Sequence, residues 1–192
     1  MKDILRFSAT LTIVALIASG SLAWINKITR PRILLQQETE LNNGLFTVLP
    51  NTDKGKIELV FDGDVILYYK GYADKNKTEF VGYAFLTLGT GYSSTIRTLV
   101  GIDPKGTILG IKILSQQETP GLGTRCEEIR NGETTPWWQD QFIGKPSLGI
   151  AVDKDNGDIE SITGATITSR AITNSIAEQA KTVLDRIDDT QP

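Results

Sequence analysis

FVGYAFLTLGTGYSSTIRTLVGIDPKGTILGIKILS, residues 80–115, decides the fold. It contains three strand-like runs: FVGYAFLTL (80–88), TIRTLVGI (95–102) and TILGIKILS (107–115). Asp103-Pro104-Lys105-Gly106, between the last two, is a strong turn signal. Two more runs precede this stretch. KIELVF (56–61) alternates Ile57, Leu59 and Phe61 against Lys56 and Glu58, and VILYYKGY (65–72) follows a DGD turn at 62–64. Strands joined by short turns predict an antiparallel sheet.

Downstream the pattern changes. Residues 116–147 read as irregular, with Pro120, Gly121 and Gly123 in QQETPGLGTR and paired tryptophans in ETTPWWQDQFIGKP. Loops of this length inside a compact domain are often functional. LGIAV (148–152) predicts a short strand. After Arg170, the residues Ile172, Ile176, Ala180, Val183 and Ile187 form one apolar helical stripe. The closing DRIDDTQP is polar and is expected to fray.

Upstream, no residue between Arg6 and Lys27 is charged, and most are apolar. About 20 helical residues span the roughly 30 Å hydrocarbon core. Trp24 suits one interface. Ser21 and Ala23 give the small-x-small pattern of a signal-peptide cleavage site, but the apolar run exceeds the usual 7–15 residues, which favours a retained anchor. Lys2 and Arg6 precede the span and Lys27, Arg30 and Arg32 follow it, so charge counting alone would keep the C-terminal side in the cytoplasm. Pro31 suits the first turn of a following helix with Ile33, Leu34, Leu41 and Leu45 on one face, and Gly44 is a plausible breaker.

The resulting expectation is an α+β chain: one antiparallel-sheet-rich domain with flanking helices, plus one N-terminal transmembrane helix. The expected divisions are a flank at 1–6, the span at 7–26, a linker helix at 27–50, the domain at 51–188 and a tail at 189–192. A net charge of −3 gives no case for nucleic acid. With no histidine and one cysteine, Cys126, disulfides within the chain, zinc fingers, cysteine-held clusters and histidine catalysis are excluded. No metal site and no catalytic residue are expected.

Two segments are candidates for chemistry. TGATITSR (163–170) places the hydroxyls of Thr163, Thr166, Thr168 and Ser169 around Gly164 and Ala165, just before the last helix. Thr168 or Ser169 can cap that helix. A cap does not require the Gly-Ala pair, which instead clears space for a close approach. A phosphate there would meet the helix dipole and its free N–H groups, and a threonine could bind it or be esterified to it. GxxxxGK[ST] is absent. The second segment, ETPGLG (118–123), offers Glu118 and Thr119 as polar groups. Gly121 and Gly123 make a tight turn whose N–H groups can point at a ligand, and Leu122 can lie against a flat apolar face. Trp137, Trp138 and Phe142 are more readily core than a cofactor stack. Cys126 reads as a small, partly buried residue. Asn76-Lys77-Thr78 matches a glycosylation sequon of a kind frequent by chance.

TGATITSR resembles the S/T-G-A-T-x-T/S motif of the covalent-flavin domains. These occur in the G subunit of the Rnf ion-translocating electron-transport complex and the C subunit of the Na⁺-translocating NADH:quinone reductase. GYSSTI (91–96), VGID (100–103), GIKILSQQETPGLGTR (110–125) and WWQDQFIGK (137–145) resemble the same family in the same order. Length favours the Rnf G subunit. The resemblance implies FMN attached through its phosphate to Thr166, with Glu118 to Gly123 near the isoalloxazine ring. The family usually has Asp where this chain has Glu160. The resemblance further implies an electron-relaying subunit, incomplete alone, of a ferredoxin:NAD oxidoreductase. Its expected partners are the other membrane subunits, a flavin transferase and membrane lipid. The domain is expected on the periplasmic side of the inner membrane, against the charge count. The alternatives are the C-type subunit, an anchored binding domain for a phosphorylated ligand, and a structural subunit in which TGATITSR only caps a helix.

Overall fold

Consecutive pairing of the strand runs generates the sheet of this computed structural model, which describes residues 2–52, 55–63 and 65–188. Strands β1 (Lys56–Asp62), β2 (Val65–Tyr72), β3 (Phe80–Thr90), β4 (Thr95–Ile102) and β5 (Ile108–Ser115) form an antiparallel meander in sequence order. The expected turns explain the register. Asp103 Oδ1 accepts the N–H groups of Lys105 and Thr107, both at 2.8 Å, and Gly106 takes φ +82°, so β4 folds back onto β5. At the first turn Gly63 has φ +61°, while Asp64 lies outside the described residues.

Helix α1 (Lys2–Val48) is continuous. The chain divides into two compact units, Met1–Glu40 and Leu41–Pro192, so the last turns of α1 belong to the sheet domain. Two local expectations are corrected. Pro31 lies inside the helix rather than in its first turn; it removes one backbone donor without ending the helix. Gly44 does not break the helix either, and it is buried. Its missing side chain permits close packing, since a Cβ there would lie 3.0 Å from Leu99 Cδ2 and 3.2 Å from Leu114 Cδ2.

Among the described residues, α1 alone is long and apolar enough to cross a membrane, with an 18-residue window of mean hydropathy 1.7, none of it buried. The hydroxyls of Thr10, Thr12 and Ser21 donate to the carbonyls of Arg6, Ser8 and Ile17. These polar groups are thus satisfied within the helix itself, as a hydrocarbon environment requires.

Each face of the sheet has its own helix. On one face Leu45, Val48 and Leu49 pack with Tyr69, Ala84 and Leu99. The cross-strand pair Gly101 and Gly110 leaves the notch that admits this helix end; a Cβ on Gly101 would lie 2.0 Å from the Val48 carbonyl oxygen. The four-residue helix α2 (Trp137–Asp140) lies in the connection after β5. Helix α3 (Thr166–Asp188) buries its expected stripe, Ile172, Ile176, Ala180, Val183 and Ile187, against the other face. Each fully buried Ile or Val contributes on the order of 1.5–3 kcal/mol.

Three further expectations are revised. Helix α3 starts at Thr166, ahead of the predicted start, and continues through Asp188. Residues 185–188 are therefore helical, because Ile187 is buried; 189–192 lie outside the described residues. LGIAV is not a strand. Val152 makes only an isolated parallel bridge to Ile159, because the chain loops around Gly157, where a Cβ would lie 2.0 Å from the Ala151 carbonyl oxygen.

Candidate functional site

Helix α3 is seated directly on β3. A Cβ on Gly89 would lie 2.4 Å from the Ala171 carbonyl oxygen, and Thr87 Oγ1 and Ser175 Oγ share a hydrogen bond of 3.1 Å. This close approach fixes the helix start beside the β3–β4 turn and the segment after β5. Together the three enclose a cleft of about 690 Å³, within the range of small-molecule sites. The cleft is lined by Tyr92 from the turn, Glu118, Thr119, Leu122 and Gly123 after β5, and Gly164, Ala165, Thr166, Ile167 and Thr168 at the helix start. The two candidate segments, over 40 residues apart in sequence, thus share one cavity.

The four hydroxyls of TGATITSR have different fates. Thr168 Oγ1 donates to Glu118 Oε2 at 2.6 Å. Ser169 Oγ accepts the Ile162 N–H at 3.0 Å and donates to the Ala165 carbonyl at 3.1 Å. Neither residue is the expected cap, because both lie inside the first turn of α3. Thr163 is exposed and outside the cleft lining. Thr166 is half-buried, lines the cleft and makes no side-chain hydrogen bond among the described residues. The Ser169 N–H donates to the Ala165 carbonyl at 3.0 Å, leaving the N–H groups of Thr166, Ile167 and Thr168 ahead of the helical ladder. Gly164, at φ +80°, turns the chain into the helix, and a Cβ there would lie 3.0 Å from Leu122 Cδ2.

Glu118 occupies the opposite condition. It is 4% exposed, and its carboxylate accepts five hydrogen bonds. They come from the N–H groups of Tyr92, Ser93 and Ser94 and the hydroxyls of Ser94 and Thr168. Burial alone would raise its pKa. The hydrogen bonds from Thr168, Ser94, Tyr92 and Ser93 outweigh that effect and hold it at about 2, against an ordinary 4.5. Gly91 and Gly123 make room for this carboxylate; a Cβ on Gly91 would lie 2.6 Å from Glu118 Oε1, and one on Gly123 would lie 2.6 Å from Glu118 Cβ.

The ETPGLG turn differs from expectation in one respect. Two of its N–H groups close the turn: Gly121 N–H donates to Thr124 Oγ1 and Leu122 N–H to the Thr119 carbonyl, which also accepts the N–H of Thr124 just beyond. Gly121 has φ +74° and is exposed outside the cleft lining. Tyr92 and Ile167 line the cleft as well, beyond the polar and glycine residues that the motifs point to. The available signal was an aromatic in the β3–β4 turn and an apolar residue exposed beside Thr166.

The surrounding segments hold the motif in place. Trp138 and Phe142 are fully buried core, with rings 5.1 Å apart, and Trp138 Nε1 donates to the Glu160 carbonyl at 2.8 Å. The Glu160 N–H donates to Gln141 Oε1 at 2.9 Å, while the Glu160 side chain is exposed. Asp153 accepts the Ser161 N–H and hydroxyl, and the hydroxyl bond is the main cause holding its pKa at about 2. Arg170 clamps Asp155 through two bonds of 2.7 and 2.6 Å. Cys126 is fully buried rather than partly so, and burial pushes its thiol up to about 12, which makes it inert.

The family model of the FMN-binding domain matches residues 91–181, which take in the whole cleft lining from Tyr92 to Thr168 and so place the chain among proteins with that domain. A model of the RnfG N-terminal region matches residues 1–48. The G subunit of the ion-translocating oxidoreductase complex of Shewanella amazonensis is 32% identical over 185 residues, covering 92% of this chain and 86% of that protein. The corresponding protein of Pasteurella multocida is 41% identical over 116 residues, covering 60% of this chain and 57% of its own. The chain belongs to the family of G subunits of ion-translocating oxidoreductase complexes. The fold is also that of the C subunit of Na⁺-translocating NADH-quinone reductase from Parabacteroides distasonis. That structure aligns with a TM-score of 0.56 at 20% identity, over 80% of this chain and 96% of its own.

Proposed function

We propose that this chain is a membrane-anchored flavoprotein subunit of an Rnf-type ferredoxin:NAD oxidoreductase, relaying electrons through FMN esterified to Thr166. The carrying observation is the division among the motif hydroxyls: Thr168 and Ser169 are engaged within the protein, whereas Thr166 faces the cleft unengaged. The residues fit the cofactor. Thr166 would form the phosphoester, and the N–H groups of Thr166, Ile167 and Thr168 at the helix start would meet the remaining phosphate charge. Tyr92, Leu122 and Ile167 give the cleft apolar surface beside these polar groups. Bound FMN supplies the redox chemistry, while the protein supplies position and electrostatics. A covalent link keeps the cofactor in place even when its ring is open to a partner.

The remaining assignments follow from this reading. Helix α1 is the inner-membrane anchor, and lipid is its surroundings. The FMN-binding domain lies on the periplasmic side, which three basic residues against two after and before the span do not prevent, because long domains translocate despite flanking charge. A flavin transferase performs the attachment at a site where Glu160 replaces the usual Asp. Donor, acceptor and ion path belong to the other membrane subunits.

The test is to co-express the chain with a flavin transferase and denature it. In-gel flavin fluorescence and a mass gain of one FMN less water are expected. A native protein free of flavin would sink the redox reading, and flavin released on denaturation would favour the non-covalent binding domain.

A further inference from the structure

A second feature of the cleft concerns charge rather than attachment. Glu118 lines the cleft and is almost wholly buried. All five of its hydrogen-bond donors are neutral backbone or hydroxyl groups. Among the described residues no Lys or Arg forms an ion pair with it. A carboxylate only accepts, so a shell made solely of donors matches its ionised form, consistent with its low pKa. The shell orients dipoles toward the charge but does not cancel it. Gly91 and Gly123 press against the carboxylate and the Cβ of Glu118, which denies it room to swing away.

We propose that Glu118 is a potential-setting residue: a fixed negative charge in the cleft wall that makes the cofactor harder to reduce. This rests on the FMN reading above. An electron added to a group in the cleft is repelled by a charge that water screens poorly, so the reduced form is disfavoured. Glu118 acts through space and takes no part in the chemistry.

A brace without electrostatic consequence is the competing account, because the same five bonds tie the β3–β4 turn to α3. Redox titration of the full chain carrying attached flavin separates the two, with flavin absorbance as the readout and thermal melting alongside. Glu118→Gln keeps most of the volume and removes the charge. Its potential should rise by about 59 mV or more, a tenfold shift in the one-electron equilibrium. Glu118→Asp and Thr168→Val loosen the brace but keep the charge, so their potentials should stay at or below that of the wild type while their melting temperatures fall.

An unchanged potential in Glu118→Gln overturns the proposal, as does a rise in Glu118→Asp equal to that of the Gln variant. Should the Gln variant fail to fold, a rise in Thr168→Val overturns it, and a potential at or below wild type supports it. Absence of flavin from the wild type, visible before any titration, overturns the FMN reading and this proposal with it.

Discussion

The cleft has two walls built on opposite terms. In the wall formed by Glu118 and the β3–β4 turn, the carboxylate is saturated: five donors meet one carboxylate, and two glycines close around it. In the wall formed by the start of α3, one hydroxyl and three N–H groups stand outside the internal network of the described residues. A buried polar group left unpaired is costly, so the saturated wall is what a scaffold requires. The unsaturated wall is what a ligand requires. The motif's neighbouring hydroxyls therefore divide by register on the helix: Thr168 serves the scaffold, and Thr166, two residues earlier, lines the cleft without a hydrogen bond among the described residues.

The largest expected effect breaks the second wall. Thr166→Val should abolish attached flavin entirely, read by in-gel fluorescence after co-expression with a transferase, with a stability change of about 1 kcal/mol or less. Flavin surviving that change would mean another hydroxyl is used.

Acid should break the first wall. The folded pKa of Glu118 is depressed to about 2 from an ordinary 4.5. Its contribution is therefore fully present above the unfolded value and is lost as pH falls through about 4.5 toward 2. On the order of 3 kcal/mol is at stake. Denaturant titrations at pH 7 and pH 3 should show that loss reduced in Glu118→Gln.

Gly123→Ala should cost about 1–3 kcal/mol by overpacking. The new Cβ would lie 2.6 Å from Glu118 Cβ and 2.8 Å from Thr168 Oγ1. Gly132→Ala, where nothing lies within 4 Å but φ is +89°, tests backbone strain without crowding and should cost about 1–2 kcal/mol. Smallest in effect on the cofactor, Thr168→Val should retain attached flavin and cost about 1–2 kcal/mol, because Glu118 loses one of its donors. Chemical denaturation of each variant checks these values.

Much of the sheet was legible because its signals are local. KIELVF alternates, and Asp103 and Gly106 mark their turn by residue type alone. The stripe from Ile172 to Ile187 was legible for the same reason, since helical spacing predicts one buried face. What failed was what depends on distant partners. Gly44 looks like a breaker until Leu99 and Leu114 are placed against it. Thr168 and Ser169 look like caps until Glu118, fifty residues away, and Ile162 engage them. The start of α3 is hidden in the sequence because Thr-Ile-Thr-Ser has weak helix propensity and its hydroxyls suit a turn as well. Glu118 reads as a polar group for a ligand, but no spacing rule reveals that GYSSTI supplies four of its five donors. Tyr92 entered the cleft unseen with that same turn.

Fragmentation of the tryptic peptide spanning Asp155 to Arg170 from flavin-loaded protein tests the central claim most directly, because it contains Ser161, Thr163, Thr166, Thr168 and Ser169 together. The account predicts fragment ions that place the FMN phosphoester on Thr166 alone. FMN on Thr168, on any other hydroxyl of the peptide, or on none of them would contradict it.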